Sequence, residues 1–387
     1  MRLPDGAPVS PTALYVHIPF CRRRCFYCDF AIAGDSEPVK ARYVAALKQE
    51  LAVWAQRRAA PLQTVFFGGG TPSLLSPAQL GEILAAIAQV FGIAAGAEIS
   101  LEANPGTLTV ATARAWRALG FNRVSLGVQA FQDELLQVCG RGHTVAAVYE
   151  AVTAVQQAGF ENFNLDLLMG LPGQTLAQWE ESLQRAIALD PTHISMYDLI
   201  LEPGTLFARR FQPAAEGLTL AMYDLGRERL LGAAFEHYEI SNLARPGYRC
   251  AHNLTYWQGQ EFYGMGNGAA SLVDGCRWER PRALKDYLAW VEGLQEPPGG
   301  DRLSAGEQLF EVLMQGLRLE AGVPASALEA FPENLVARAA VVFAGFVQQG
   351  LATGSDRWRL RVPAGWLVSD TLVAQLYEVL VEKPRKP

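Results

Sequence analysis

Two shortages narrow the class of this chain: cysteine is rare and long apolar runs are missing. Six cysteines in 387 residues are too few for a disulfide framework, which belongs to shorter and denser secreted chains. No segment approaches eighteen uninterrupted apolar residues, and the N-terminus has no apolar signal core, so a cytoplasmic protein is expected. Charge is also sparse, with 19% charged residues and a net charge of −6. The only basic run is the arginine triplet at 22–24, which argues against nucleic acid as a partner. There is no low-complexity segment and no internal repeat beyond a strand–helix period. What the chain has in quantity is apolar residues, half of the total. That supports a large core, and the length suits one barrel with an appendage.

Strand-like and helical patterns alternate over the first two hundred residues. Strands are expected at 14–18, 64–67, 98–102, 123–128, 162–168 and 193–199, with helices at 38–54, 76–91, 109–119, 133–138, 144–158 and 176–189. Ser76 caps the second helix and Pro77 opens it. Such alternation means parallel βαβ units, either an open doubly wound sheet or a barrel. Polar and glycine-rich residues gather after strand ends: the cysteines after the first, 68–71 after the second, 102–105 at the third and Gln129 after the fourth. Asp166 sits late in the fifth strand. Contributions from so many strand ends suit the single mouth of a barrel better than one switch point.

Three of the six cysteines fall within eight residues, Cys21-Arg22-Arg23-Arg24-Cys25-Phe26-Tyr27-Cys28. They can converge on one metal centre. A closed zinc site wants four ligands, so Cys21, Cys25 and Cys28 would need His17 or Asp29, which flank the loop rather than forming the usual distant pair. An iron–sulfur cluster also normally takes four cysteines, so a cluster here leaves one iron open. Glu102, Gln129, Arg141 and Asp166 add acceptors and a guanidinium suited to ribose hydroxyls and a carboxylate.

The run Tyr15-Val16-His17-Ile18-Pro19-Phe20-Cys21 with its CxxxCxxC resembles the signature of radical S-adenosylmethionine (SAM) enzymes, and Tyr27 before the last cysteine fits that pattern. The resemblance implies a [4Fe–4S] cluster on Cys21, Cys25 and Cys28 whose fourth iron is chelated by SAM. It also implies an electron donor and reductive cleavage of SAM to methionine and a 5′-deoxyadenosyl radical. Gly69, Gly70 and Thr71 would hold the methionyl end. The segments around Tyr15, Glu102, Gln129, Arg141 and Asp166 resemble the SAM-binding segments of the oxygen-independent coproporphyrinogen oxidase family, over nearly the whole chain. The expected fold is therefore α/β: a partial (β/α)6 TIM-type barrel of the radical SAM class with a C-terminal helical, winged-helix-like module.

Within that family two features separate the branches. The dehydrogenase branch carries a further cysteine two residues after the third, and a longer N-terminal arm. Here that position is Phe30, and twenty residues precede Cys21. The run His252-Asn253-Leu254-Thr255-Tyr256-Trp257 instead matches the HNxxYW motif of the heme chaperone branch. Imidazole binds haem iron and aromatic faces pack on a porphyrin, so His252 is a candidate heme ligand. Cys250 is either an inert thiol or a second heme contact. The expected organisation is an arm at 1–13, a barrel at 14–240, a heme-motif loop and connecting region at 241–295 and a C-terminal module at 301–387 after the linker 296–300. The resemblance implies heme and acceptor hemoproteins such as respiratory cytochromes as partners, with peripheral membrane association through those acceptors. The alternative is coproporphyrinogen III dehydrogenase, which decarboxylates two propionates by radical abstraction.

Overall fold

The computed structural model describes residues 10–56 and 60–381. Most of the 1–13 arm lies outside them, and Ala13 already belongs to the first strand. The six expected strands form in order and pair in parallel: β1 (Ala13–Ile18), β2 (Leu62–Gly69), β3 (Ile93–Ala103), β4 (Arg123–Gln129), β5 (Asn162–Met169) and β6 (His193–Asp198). Between them run α1 (Glu37–Ala52), α2 (Pro77–Phe91), α3 (Val110–Ala118), α4 (Val145–Gln157) and α5 (Leu176–Ala188), with α6 (Glu216–Gly232) after β6. Ser76 caps α2 as expected: its hydroxyl accepts from the Gln79 amide at 3.2 Å and the Gln79 side chain accepts from the Ser76 amide. That satisfies two amides the helix start would otherwise strand.

Side chains alternate across each strand. Leu14, Val16, Val65, Phe67, Leu101, Val124, Leu126, Leu165 and Ile194 belong to the buried core that the helices cover, each worth about 1.5–3 kcal/mol on full burial. The residues between them, among them Tyr15, Phe66, Glu102, Ser125, Asp166 and Ser195, line the barrel interior. One wall of the sheet is thus greasy and the other largely polar, which makes the interior a place to bind ligands rather than a packed core.

The sheet continues beyond six strands. A hairpin of β7 (Glu236–Glu239) and β8 (Asn242–Ala244) joins β6 antiparallel at one edge. At the other edge β9 (Tyr263–Met265) pairs parallel with β1, giving the order β9-β1-β2-β3-β4-β5-β6-β8-β7. Residues 263–265, given no strand in the sequence reading, supply a seventh parallel strand. Its glycine is needed at position 264, where a Cβ would overlap the Ala270 carbonyl. A boundary at 240 cuts the β7–β8 hairpin, and much of 241–295 packs on the barrel. Arg280 and Glu50 on α1 form an ion pair at 2.7 Å with neither side chain exposed. The Tyr287 hydroxyl and the Gly266 amide donate to the other Glu50 oxygen.

Residues 249–257, expected as a loop, hold a short helix, α7 (Ala251–Trp257). Its cap is remote: the Glu98 carboxylate on β3 accepts from the amides of Ala251 and His252 at 2.9 and 3.1 Å. The C-terminal part has its own core, including Leu309, Leu313, Phe343, Trp366 and Leu376. Helices Ala305–Gly316, Glu333–Gln348 and Ser369–Leu380 pack with a small antiparallel sheet. This is the winged-helix-like arrangement expected. It joins the barrel through backbone bonds of Ile240 to Arg318 and Glu320 to Tyr238.

Candidate functional site

The cysteine loop follows β1 at the barrel mouth and is held there from below. The Phe26 amide donates to the Cys139 carbonyl and the Phe207 amide to the Phe26 carbonyl. Phe26 packs against Gly140, where a side chain would meet its ring at 2.9 Å. Each of the three sulfurs already has a polar neighbour. The Thr71 hydroxyl lies 3.5 Å from Cys21 Sγ, Arg141 donates to Cys25 Sγ at 3.4 Å and the Phe30 amide donates to Cys28 Sγ at 3.4 Å. Asn104 ties these together: its amide nitrogen donates to Thr71 Oγ1 at 2.9 Å and its oxygen accepts from Arg141. Asn104 lies in the Glu102–Gly106 run, but its chemistry is not evident without Arg141 and Thr71 beside it.

This donor set fits an iron–sulfur cluster. All three thiols are free and partly exposed, and hydrogen bonds to sulfur tune such clusters. Burial pushes the Cys21 thiol up to about 11 and raises Cys28; coordination to a metal supplies the charge that deprotonates them. Among the described residues no three His, Cys, Asp or Glu side chains already close on a single ion. His17 is not free to help. Its Nε2 donates to the Ala31 carbonyl at 2.8 Å, so Nδ1 accepts from the Tyr15 hydroxyl at 3.1 Å.

Behind the loop opens a cavity of about 910 Å³. The expected cluster and SAM residues all line it, Cys21, Cys25, Cys28, Tyr15, Tyr27, Gly69, Gly70, Thr71, Glu102, Gln129, Arg141 and Asp166, and so does His252, whereas Cys250 is not part of its lining. The Gly69 amide donates to Glu102 at 2.9 Å. Its φ of 107° favours glycine, and a Cβ there would overlap the His17 ring. Gln129 also holds a positive φ, 70°, a strained setting typical of ligand clamps. Burial, and then the charge of Asp166, push the Glu102 carboxyl up to about 8. Burial raises Asp166 as well, against bonds from Asn164 at 2.8 Å and Ser125 at 3.2 Å. Two electrostatically coupled carboxyls lining the cavity, with donors around them, suit ribose hydroxyls and a cationic ligand.

The sequence reading missed the lower interior: Arg123, Ser125, Asn164 and Ser195. The signal was there, since they recur at every second position of β4, β5 and β6 with the polar ends above them. Burial works against the charge of Arg123, but Cys250, Glu98, Tyr238 and Asp166 outweigh it, and the guanidinium stays charged.

His252 is at this cavity but not in the state expected of a heme ligand. It is 1% exposed. Nδ1 is bonded to Thr64 Oγ1 at 2.8 Å and Nε2 to the Tyr256 hydroxyl at 2.9 Å. Its ring stacks on Phe66 with centroids 5.1 Å apart. Burial, then Arg123, push its pKa down to about 3. Both ring nitrogens are hydrogen-bonded, and the motif histidine packs at the barrel floor. Cys250 is likewise buried, against Glu98.

Residues 15–186 match the family model described as the Radical SAM superfamily. A cysteine loop at the mouth of a parallel barrel with a polar interior is the architecture of that class, and residues 15–186 are a radical SAM domain. Membership implies a [4Fe–4S] cluster and SAM. The chain is 45% identical to the heme chaperone HemW of Synechocystis sp., over 91% of this chain and 87% of that protein. It is 36% identical to the heme chaperone HemW of Lactococcus lactis, over 81% and 83%. The chain belongs to the heme chaperone HemW family. Among solved structures, the coproporphyrinogen III oxidase HemN from Escherichia coli, a radical SAM enzyme, matches with a TM-score of 0.83 over 96% of this chain and 91% of that one. At 24% identity this shows a common fold. Among the described residues no helix is long and apolar enough to cross a membrane.

Proposed function

We propose that this chain is a cytoplasmic heme chaperone that binds heme and hands it to acceptor hemoproteins, respiratory cytochromes among them. What carries the reading is similarity to heme chaperones over most of both chains joined to a cavity lined by the whole expected SAM set. Cys21, Cys25 and Cys28 hold the cluster, with Thr71, Arg141 and the Phe30 amide donating to their sulfurs. Gly69, Gly70 and Thr71 receive the methionyl end of SAM beside the cysteines. Glu102 and Asp166 accept from the ribose, and Tyr15, Tyr27, Gln129 and Arg141 fix the remaining edges. When bound, the cluster and SAM supply one-electron chemistry. The chain's own part is to exclude water below and present an open mouth above.

Phe30, at the position of the dehydrogenase's further cysteine, supports the chaperone branch. The test uses anaerobically reconstituted protein. Heme should give a stoichiometric Soret band and pass to an apo-cytochrome. Coproporphyrinogen III with SAM and a reductant should give no protoporphyrinogen. Protoporphyrinogen formation would overturn the reading in favour of the dehydrogenase.

A further inference from the structure

The floor offers heme iron no free ligand on His252, but the mouth presents a surface that nothing among the described residues covers. Phe30, just past the last cluster cysteine, is 61% exposed, and Ile200, on the segment after β6, is 68% exposed. Both line the cavity, with Tyr197 beside Ile200. Two bare apolar side chains facing one opening are unfavourable in water unless a ligand covers them.

The charges around the opening are not symmetric. The β6 side carries Asp198 and Glu202, both lining the cavity. The cysteine-loop side carries the arginine triplet and Arg282. There Asp29 is neutralised by Arg282 at 2.9 Å, and Arg22 pairs with Asp35. Among the described residues Arg23 makes no ion pair; its guanidinium lies over the Phe26 ring at 5.1 Å and it lines the cavity. Of the cavity-lining acids on that side, Glu279 remains, outnumbered by the cations.

Resting on the heme chaperone reading, we propose that heme docks at this mouth: its ring is covered by Phe30 and Ile200, and its propionate edge turns to Arg23, away from Asp198 and Glu202. The occupant must be flat and apolar on its faces and anionic along one edge, which heme is. A guanidinium answers a carboxylate with a forked, charge-assisted bond. The site stands directly above the cysteine loop, so heme bound there roofs the SAM cavity.

The experiment titrates full-length, cluster-reconstituted protein with hemin and with hemin dimethyl ester, whose propionates are uncharged. Phe30→Ser and Ile200→Ser are each expected to weaken hemin binding about tenfold, the scale of one partly buried apolar side chain. Arg23→Met is expected to erase the wild-type preference for hemin over its ester. Iron content and SAM affinity should stay at wild-type values in Ile200→Ser and Arg23→Met, since neither residue donates to the sulfurs. Wild-type hemin affinity in both serine variants, or an ester preference unmoved by Arg23→Met, overturns the mouth site. A wild-type chain that takes up neither compound overturns the heme reading itself.

Discussion

Replacing His252 by alanine tests whether the motif histidine is a ligand or a floor. The change strands the hydroxyls of Thr64 and Tyr256, which it now bonds at 2.8 and 2.9 Å; an unsatisfied buried group costs about 1–3 kcal/mol. It also removes a ring stacked on Phe66, and truncating a buried aromatic costs about 3–5 kcal/mol. The terms overlap, so a loss of about 4 kcal/mol is expected, seen as a fall in Tm on the order of 10 °C. The pH dependence should change with it. His252 is pushed from 6.5 to about 3, so it is neutral when folded and takes up a proton on unfolding. Its contribution is fully present above about pH 6.5 and is lost as pH falls toward 3, with a slope of up to about 1.4 kcal/mol per pH unit. His252→Ala should flatten that acid limb in denaturant melts run from pH 7 to 4. Hemin affinity, read from the Soret band, should stay within about twofold. A lost Soret band in His252→Gln with an unchanged Tm and acid limb would refute the argument and restore the histidine as ligand.

Glu102→Gln should act at the opposite end of the pH range. The folded carboxyl is raised from 4.5 to about 8, so its stabilisation is present below the unfolded value and lost as pH rises through about 8. The variant should melt higher than wild type at pH 9 while SAM affinity, measured by calorimetry, falls about tenfold. Glu50→Ala leaves Arg280 charged and fully buried, and should lower stability by about 3–5 kcal/mol in urea titrations; Glu50→Met with Arg280→Met should recover much of that loss. Asn104→Ala removes the link between Arg141 and Thr71. It should speed loss of iron in air about tenfold at unchanged Tm, followed by iron assay.

The parallel strands were legible because each is a short apolar run ended by glycine or a polar residue, and their ends share one face by topology alone. That is why Gly69, Glu102, Gln129, Arg141 and Asp166 were found from the sequence. β9 was not, because three residues in a glycine-dense run carry no period, and its pairing with β1 joins positions some 250 apart. α7 was hidden for a related reason, since its capping carboxylate, Glu98, lies 153 residues before the amide of Ala251.

The same distinction decides what the HNxxYW run could tell. Its residue types name an imidazole, a phenol and an indole close in sequence, which suits a porphyrin site as well as a plug. Orientation distinguishes the two, and it depends on Thr64 and Phe66, far from the motif in sequence. With Tyr256 bonded to His252 and α7 capped by Glu98, the run closes the barrel opposite the cysteines. A barrel closed at the floor exchanges ligands through its mouth. The mouth is also where Phe30 and Ile200 stand bare and where Phe30 replaces the further cysteine of the dehydrogenase branch. The sequence difference between the two branches and the exposed apolar surface therefore fall at one place, beside the cluster.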